Sequence, residues 1–277
     1  MVHDPLYFRD DTDTLPAEHY GPLAVSDIGV ADLGTALRKG WADFWAKPSH
    51  LLFLGLFYPI AGLFLCRLVV GYDVLPMLFP LMAGFTLVGP FAAIGLYEIS
   101  RRLERGENPS WDDAIQVFRP PNLFPIAILG LTLFILFLCW LGVAMGTYRS
   151  LYGPYHVVRS LTGFYGEVIS TAQGWTLITV TFAAGFLFAL IALAIGFISF
   201  PLIIDRHCGV VVAVVTSVRA MLHNPVTVLL WGLIVAALIA LGFVTLMIGL
   251  AIIMPVLGHA TWHLYRRLVP VQVRQGG

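Results

Sequence analysis

Two histidines, His259 and His263, have the residue type and the spacing that could do chemistry in this sequence. They are four residues apart in a helical pattern, so both side chains lie on one face of a helix. Such a pair could bind a metal ion, or one imidazole could be an axial ligand of haem. Ala260 stands where a zinc-protease motif has its glutamate, so that motif is excluded. The alternative is that both histidines form hydrogen bonds at a membrane interface, beside Trp262 and Tyr265.

Charged residues at the ends of apolar segments give the other candidates. Glu98 lies near the end of a long apolar run, and Arg101 and Arg102 follow at helical spacing. An ionisable group within a membrane segment is a candidate for function, whereas this spacing favours an ion pair at the interface. A second group of candidates follows the fourth apolar segment and could be a helix-end polar cluster or a metal or redox site: Asp205, Arg206, His207 and Cys208. A basic pair, Arg266 and Arg267, ends the last apolar segment. Cys208 has no second cysteine nearby, which argues against a redox pair.

The composition indicates the solvent of the chain. Hydrophobic residues make up 58% of the 277 residues and charged residues only 12%, against roughly 25% charged residues in average soluble proteins. Because this number of charged residues cannot cover the surface of a soluble globular protein, we predict a multi-span integral membrane protein. A disordered chain, a collagen-like fibre and a disulfide scaffold are excluded. The formal net charge is zero and no basic stripe occurs, so nucleic acid is not an expected partner.

The apolar blocks predict six membrane spans in an all-α fold. A span needs about 20 apolar residues. The last apolar block, residues 226–265, would make a helix of about 60 Å, twice the thickness of the hydrocarbon core, so we divide it near Gly242. The predicted spans are 51–70, 77–99, 123–145, 175–200, 226–241 and 244–265.

The distribution of basic residues predicts the orientation. With six spans, 13 of the 16 Lys and Arg residues lie on the side that holds both termini. The positive-inside rule then places both termini in the cytosol. We predict a disordered acidic cytosolic tail at residues 1–28, a single six-span membrane domain at 29–268 and a short cytosolic tail at 269–277. The N-terminus lacks the pattern of a cleavable signal peptide, so we expect the first span to direct insertion.

An internal repeat is suggested by three amphipathic segments that each end at a proline and precede a span. These prolines are Pro48, Pro121 and Pro225. The second segment also has Ser110 and Asp113 at the spacing of a capping box. We predict three copies of an interfacial amphipathic helix followed by a transmembrane hairpin, with the middle copy degenerate.

The second spans of the first and third copies support this repeat. Pro90 precedes the Arg101–Arg102 pair by the same eleven residues that separate Pro255 from Arg266 and Arg267. This alignment pairs Glu98 with His263 and predicts a contact between the two side chains.

Several segments together resemble a bacterial family of predicted inner-membrane proteins that is catalogued as DUF2189, a domain of unknown function. The resemblance extends from about Ala31 to Leu268 and rests on residues 111–122, 203–206, 224–225, 231–232 and 258–267. It implies a multi-pass protein of the bacterial inner membrane. No activity is assigned to the family, so the resemblance transfers no catalytic residue.

The expected function is non-enzymatic, because no nucleophile–base constellation, phosphate loop or cofactor fingerprint occurs. The first hypothesis is a scaffold, or a protein that interacts with lipid or with a partner. Its expected contacts are the lipid bilayer and either a second copy of the chain or another membrane protein. The second is a small-molecule or lipid permease. The third is a haem- or metal-associated subunit or assembly factor of a respiratory complex that uses His259 and His263. No cofactor is predicted outside this third hypothesis.

Overall fold

The computed structural model describes residues 23–47, 62, 88–153, 161–245 and 249–270. These residues form helices and no strand, which confirms the all-α prediction for this part of the chain. The helices are α1 (Val30–Ala46), α2 (Val88–Glu104), α3 (Trp111–Gln116), α4 (Leu123–Tyr152), α5 (Leu161–Ser170), α6 (Ala172–Gly196), α7 (Ser199–Arg206), α8 (Val210–His223), α9 (Pro225–Val244) and α10 (Leu250–Leu268).

Within the described residues, three helical segments are long and apolar enough to cross a membrane. They are α4, the segment Ala172–Arg206 formed by α6 and α7, and α9. They correspond to the third, fourth and fifth predicted spans. The predicted span 51–70, apart from Gly62, and residues 77–87 of the predicted span 77–99 lie outside the described residues.

The fourth predicted span is divided into two helices rather than one. Pro201 has no N–H, so it cannot donate to the carbonyl of Phe197 and cannot continue the α6 ladder. The carbonyl of Phe197 thereby loses its helical donor, and the N–H of Ile198, at the break between α6 and α7, donates to Ser217 Oγ in α8 at 3.3 Å. The chain therefore ends α6 at Gly196 and begins α7 at Ser199.

The sixth predicted span begins later than expected. Helix α10 starts at Leu250 rather than at residue 244, because Thr245 and Gly249 form the turn that follows α9. The N–H of Gly249 donates to Thr245 Oγ1 at 3.0 Å. Residues 246–248 of this connection lie outside the described residues.

Helix α10 lies at the centre of the packing and contacts α1, α2, α7 and α9. Its Trp262 and Tyr265 side chains are fully buried, as are Phe200 of α7 and Trp231 of α9. Large aromatic side chains therefore fill the middle of the described residues.

Each of the three amphipathic helices packs on another helix of the described residues. Helix α1 lies along α10, α3 lies on α2, and α8 lies on α6 and α7. Helices α1 and α10 approach closely at Gly40, where a Cβ would lie 2.6 Å from the backbone nitrogen of Ala260. The α1 residue type at this point is therefore restricted to glycine.

The end of the predicted acidic tail is held by the helices. The N–H of Ser26 donates to the carbonyl of Leu268 at 2.8 Å. The N–H of Ile28 donates to Asn224 Oδ1 at 2.9 Å, and Thr227 Oγ1 donates to the carbonyl of Ile28 at 3.0 Å. Residues 23–28 thus lie against the protein, and residues 1–22 lie outside the described residues.

Candidate functional site

The candidate residues meet where the C-terminal halves of α2 and α10 run side by side. Leu96 of α2 packs so closely on Gly258 of α10 that a Cβ at Gly258 would lie 2.9 Å from Leu96 Cδ1. This register brings Ser100 beside His259 and Glu104 beside Trp262. Polar side chains from α1 and α7 approach the same two helices. They form three groups, which we call the histidine cluster, the Glu98 cluster and the Asp205 cluster.

The histidine cluster consists of Asp43, Ser100, His259 and His263. The ring nitrogen Nε2 of His263 lies 2.8 Å from Asp43 Oδ2. Ser100 Oγ lies 2.6 Å from the same carboxylate oxygen and 2.7 Å from His259 Nδ1. Ser100 and His259 are fully buried. One carboxylate on α1 therefore ties α2 and α10 to the amphipathic helix.

The donors in this cluster follow from the chemistry of the groups. An ionised carboxylate only accepts, so His263 Nε2–H and the Ser100 hydroxyl both donate to Asp43. The single hydroxyl hydrogen of Ser100 is then used, and His259 Nδ1–H donates to Ser100 Oγ. The network is thus directed from His259 through Ser100 to Asp43.

The ionised form of Asp43 is favoured despite its position. Burial alone would raise the pKa of this carboxyl group, but the hydrogen bonds from His263 and Ser100 and the nearby imidazoles lower it below the ordinary value of 3.8. Its side chain is 15% exposed. Asp43 is therefore a carboxylate at neutral pH, as the donor assignment requires.

The two histidines approach one carboxylate but do not share a coordination centre. His259 Nδ1 lies 4.0 Å from Asp43 Oδ2, with Ser100 Oγ bonded to both groups. Within the described ranges, no group of three or more His, Cys, Asp or Glu side chains is arranged to hold a metal ion. Metal or haem binding by this pair remains a hypothesis from the sequence.

The Glu98 cluster contains the ion pair that the sequence spacing predicts. Glu98 accepts from Arg101 Nε at 2.7 Å and Nη2 at 2.9 Å, and from Arg102 Nε at 2.8 Å. The carboxylate is 3% exposed, and Arg102 also reaches Asp113 of α3 at 3.3 Å. The predicted contact between Glu98 and His263 is wrong, because Glu98 binds Arg101 and Arg102 whereas His263 binds Asp43 of α1.

The Asp205 cluster joins the ends of α2, α7 and α10. Tyr265 Oη donates to Asp205 Oδ2 at 2.6 Å, and Arg266 Nη1 lies 3.3 Å from the same oxygen. Arg266 Nε lies 3.0 Å from Glu104, which also accepts from Trp262 Nε1 at 3.2 Å. Arg266 thus bridges acids on two other helices.

The remaining predicted residues lie at the edge of these clusters. Arg206 pairs with Asp205 at 3.3 Å, and Arg267 pairs with Asp32 of α1 at 3.1 Å. His207 Nδ1 lies 2.8 Å from Asn122 Oδ1. Burial and the neighbouring Arg101 lower the pKa of His207, so it is neutral at pH 7.

The buried Cys208 thiol is not activated. Burial raises its pKa to about 11, so the thiol stays protonated at neutral pH and is a poor nucleophile. The thiol donates to the carbonyl of Leu202 at an Sγ–O distance of 3.9 Å. This geometry favours the helix-end interpretation of the segment over a redox site.

Sequence reasoning missed Asp43, Ser100 and Glu104, which are central to the clusters. Asp43 follows Gly40 by three residues and so lies on the same side of α1 as the close contact with α10. A glycine and an acid at this spacing in an amphipathic helix were the available signal. Ser100 and Glu104 lie on the α2 segment beyond Glu98 and gave no separate signal.

Comparison with known proteins supports the resemblance seen in the sequence. A family model described as "Predicted integral membrane protein (DUF2189)" matches residues 78–205, which is a little less than half of the chain. The matched segment contains the Glu98 cluster and Asp205 and ends before α8. No curated protein and no solved structure matches the chain.

Proposed function

We propose that this protein is a non-enzymatic membrane scaffold whose amphipathic helices lie in the lipid interface of the bilayer. The observation that carries the proposal is that the candidate carboxylates bind histidines and arginines of the same chain, from α1, α2, α7 and α10. Such clusters fix helices relative to one another. The role of the site is therefore to hold α1 against the membrane helices.

The outward faces of the amphipathic helices suit lipid. Trp45 of α1 is 62% exposed and Ile115 of α3 is 62% exposed. On α8, Val211 is 71% exposed. Exposed apolar side chains beside basic residues are typical of helices that lie in the headgroup region, with tryptophan at the boundary. All three helices thus have the surface that the proposal needs.

The proposed architecture has six spans and three repeats. The pattern of contacts supports it, since each amphipathic helix packs on the second helix of the preceding copy: α3 on α2, α8 on α6 and α7, and α1 on α10. The pairing of α1 with α10 joins the first copy to the third, so the three copies of the proposed repeat are arranged in a ring. Gly95 of α2 and Ala260 of α10 occupy equivalent repeat positions and each meets an amphipathic helix, at Ala114 and Gly40 respectively.

The basic residues support an inner-membrane location with both termini in the cytosol. The ends of α2 and α10 carry Arg101, Arg102, Arg266 and Arg267, and the positive-inside rule puts such ends on the cytosolic side. In this orientation the three clusters face the cytosolic leaflet. A homo-oligomer or a membrane-protein partner is compatible with the scaffold role.

Two other functions have less support. A permease needs a path between its repeats, whereas the centre of the described residues is occupied by Phe200, Trp231 and Trp262. A haem- or metal-binding subunit would use His259 and His263, whose Nδ1 and Nε2 atoms respectively are engaged by Ser100 and Asp43.

The proposal is tested by the depth of spin labels in nanodiscs. A label at Trp45 or Val211, in a chain whose three cysteines are replaced, should collide with oxygen more often than with a water-soluble nickel complex. A label at Lys39, on the other side of α1, is the matched control and should show the opposite preference. Preference for the nickel complex at both Trp45 and Val211 would refute the interfacial role.

A further inference from the structure

A groove lies at the junction between α8 and the segment that precedes α1. It has a volume of about 380 Å³ and is lined by Leu23, Ala24, Val25, Arg219, Leu222 and His223. The groove lies within a few residues of Pro225, where the candidate span α9 begins. It is therefore at the level where lipid headgroups meet a span.

The charge in the groove suits a phosphate. Asp27 follows the lining residue Val25 by two positions, and its Oδ1 lies 2.9 Å from His223 Nε2, so this acid already has a partner. Arg219 is exposed and forms no ion pair within the part of the chain that the structure describes. It is also the only Lys or Arg of α8. An arginine held at this level can bind a phosphate oxygen with two parallel hydrogen bonds.

The surface next to the groove suits an acyl chain. Leu222 lines the groove and is 73% exposed, and Val226 in the first turn of α9 is also 73% exposed. Leu229 and Leu233 follow Val226 at helical spacing and are 42% and 65% exposed. An apolar stripe therefore leads from the cationic groove along the membrane helix.

We propose that this groove binds one anionic phospholipid, with its phosphate on Arg219 and an acyl chain along Leu222, Val226 and Leu229. The occupant is a lipid rather than a free phosphate, because an exposed apolar stripe begins next to the cationic side chain of Arg219. This inference rests on the proposed function and adds to it a defined site. The bound lipid fixes the α8–α9 junction at the leaflet.

The experiment measures phosphatidylglycerol retained by the full chain after extraction from mixed bilayers, by native mass spectrometry. The variant Arg219→Gln should retain about fivefold less of this lipid than the parent chain, since one basic residue near a bilayer surface contributes on that order. The exposed Arg105→Gln is the matched control and should retain the parental amount. Equal losses in both variants, or no loss in either, would overturn the proposal.

A second variant distinguishes the lipid from its headgroup alone. Leu222→Ser should also reduce retention, and millimolar inorganic phosphate should not displace the bound lipid. Displacement by phosphate without an effect of Leu222→Ser would overturn the lipid assignment in favour of a free anion. The labels at Trp45 and Val211 report on the interfacial role separately, so failure of this site and failure of the scaffold proposal are distinguishable.

Discussion

The contact between α1 and α10 predicts a sharp effect of adding one methyl group. In Gly40→Ala the new Cβ would lie 2.6 Å from Ala260 N, 2.7 Å from Val256 O and 2.9 Å from Ala260 Cα. All three neighbours are backbone atoms, so no side-chain rotation can relieve the overlap. Helix α1 must move away by several tenths of an ångström or more.

The magnitude follows from two opposing effects. Overpacking of this kind costs about 1–3 kcal/mol, and the shift also lengthens the hydrogen bond between Asp43 and His263, now 2.8 Å. The higher helix propensity of alanine returns about 1 kcal/mol. We expect Gly40→Ala to destabilise the protein by roughly 2 kcal/mol, which is a fall in Tm of about 4–8 °C.

The control is in the same helix. A Cβ at Gly34 has nothing within 4 Å, so Gly34→Ala should keep or raise the Tm through helix propensity alone. Thermal unfolding in one mild detergent, followed by intrinsic tryptophan fluorescence, measures both variants. A Tm for Gly40→Ala that equals or exceeds that of Gly34→Ala would refute the packing of α1 on α10.

Three further predictions concern the polar clusters. Asp43→Asn should lower the unfolding free energy by about 1–3 kcal/mol at pH 7. Because the pKa of Asp43 is lowered from 3.8, the contribution of its charge is present above that value and is lost as the pH falls through the lowered pKa; the gap between the two proteins should therefore shrink in acid denaturation, and a constant gap would contradict this. Glu98→Gln should cost about 1–2 kcal/mol in chemical denaturation, because two guanidinium groups with some access to water lose their counter-charge; Glu107→Gln, whose side chain is 43% exposed, should cost under about 0.5 kcal/mol. The absorption spectrum and elemental analysis of the purified protein should show no haem band and no stoichiometric metal. A band or metal that disappears on changing His259 and His263 to Ala would instead favour the respiratory hypothesis.

Local features of the fold could be predicted because they depend on neighbours in the sequence. The capping box of Ser110 and Asp113 is present, with Ser110 N–H donating to Asp113 Oδ2 at 2.7 Å. The pair of Glu98 with Arg101 is likewise three residues apart, a spacing that the helix geometry alone brings into contact. Apolar length gave the bounds of α4 and α9 to within a few residues at their first turns.

The candidate site was predicted only in part, because its partners come from distant segments. His263 and Asp43 are separated by 220 residues, and His259 and Ser100 by 159. Helical periodicity placed both histidines on one face but gave no information on which helix covers that face. The alignment of His263 with Glu98 suggested the wrong partner, since equivalent repeat positions need not touch.

The sequence by itself determined that the chain is apolar, helical and suited to a bilayer, because composition and periodicity fix the solvent and the local backbone. Only the tertiary structure decided that α1 lies along α10, where Gly40 allows the two backbones to approach. That approach brings Asp43 to the histidines and completes a polar cluster whose members come from three distant segments. Packing between helices depends on the shapes of both surfaces, and one helix alone cannot specify the other.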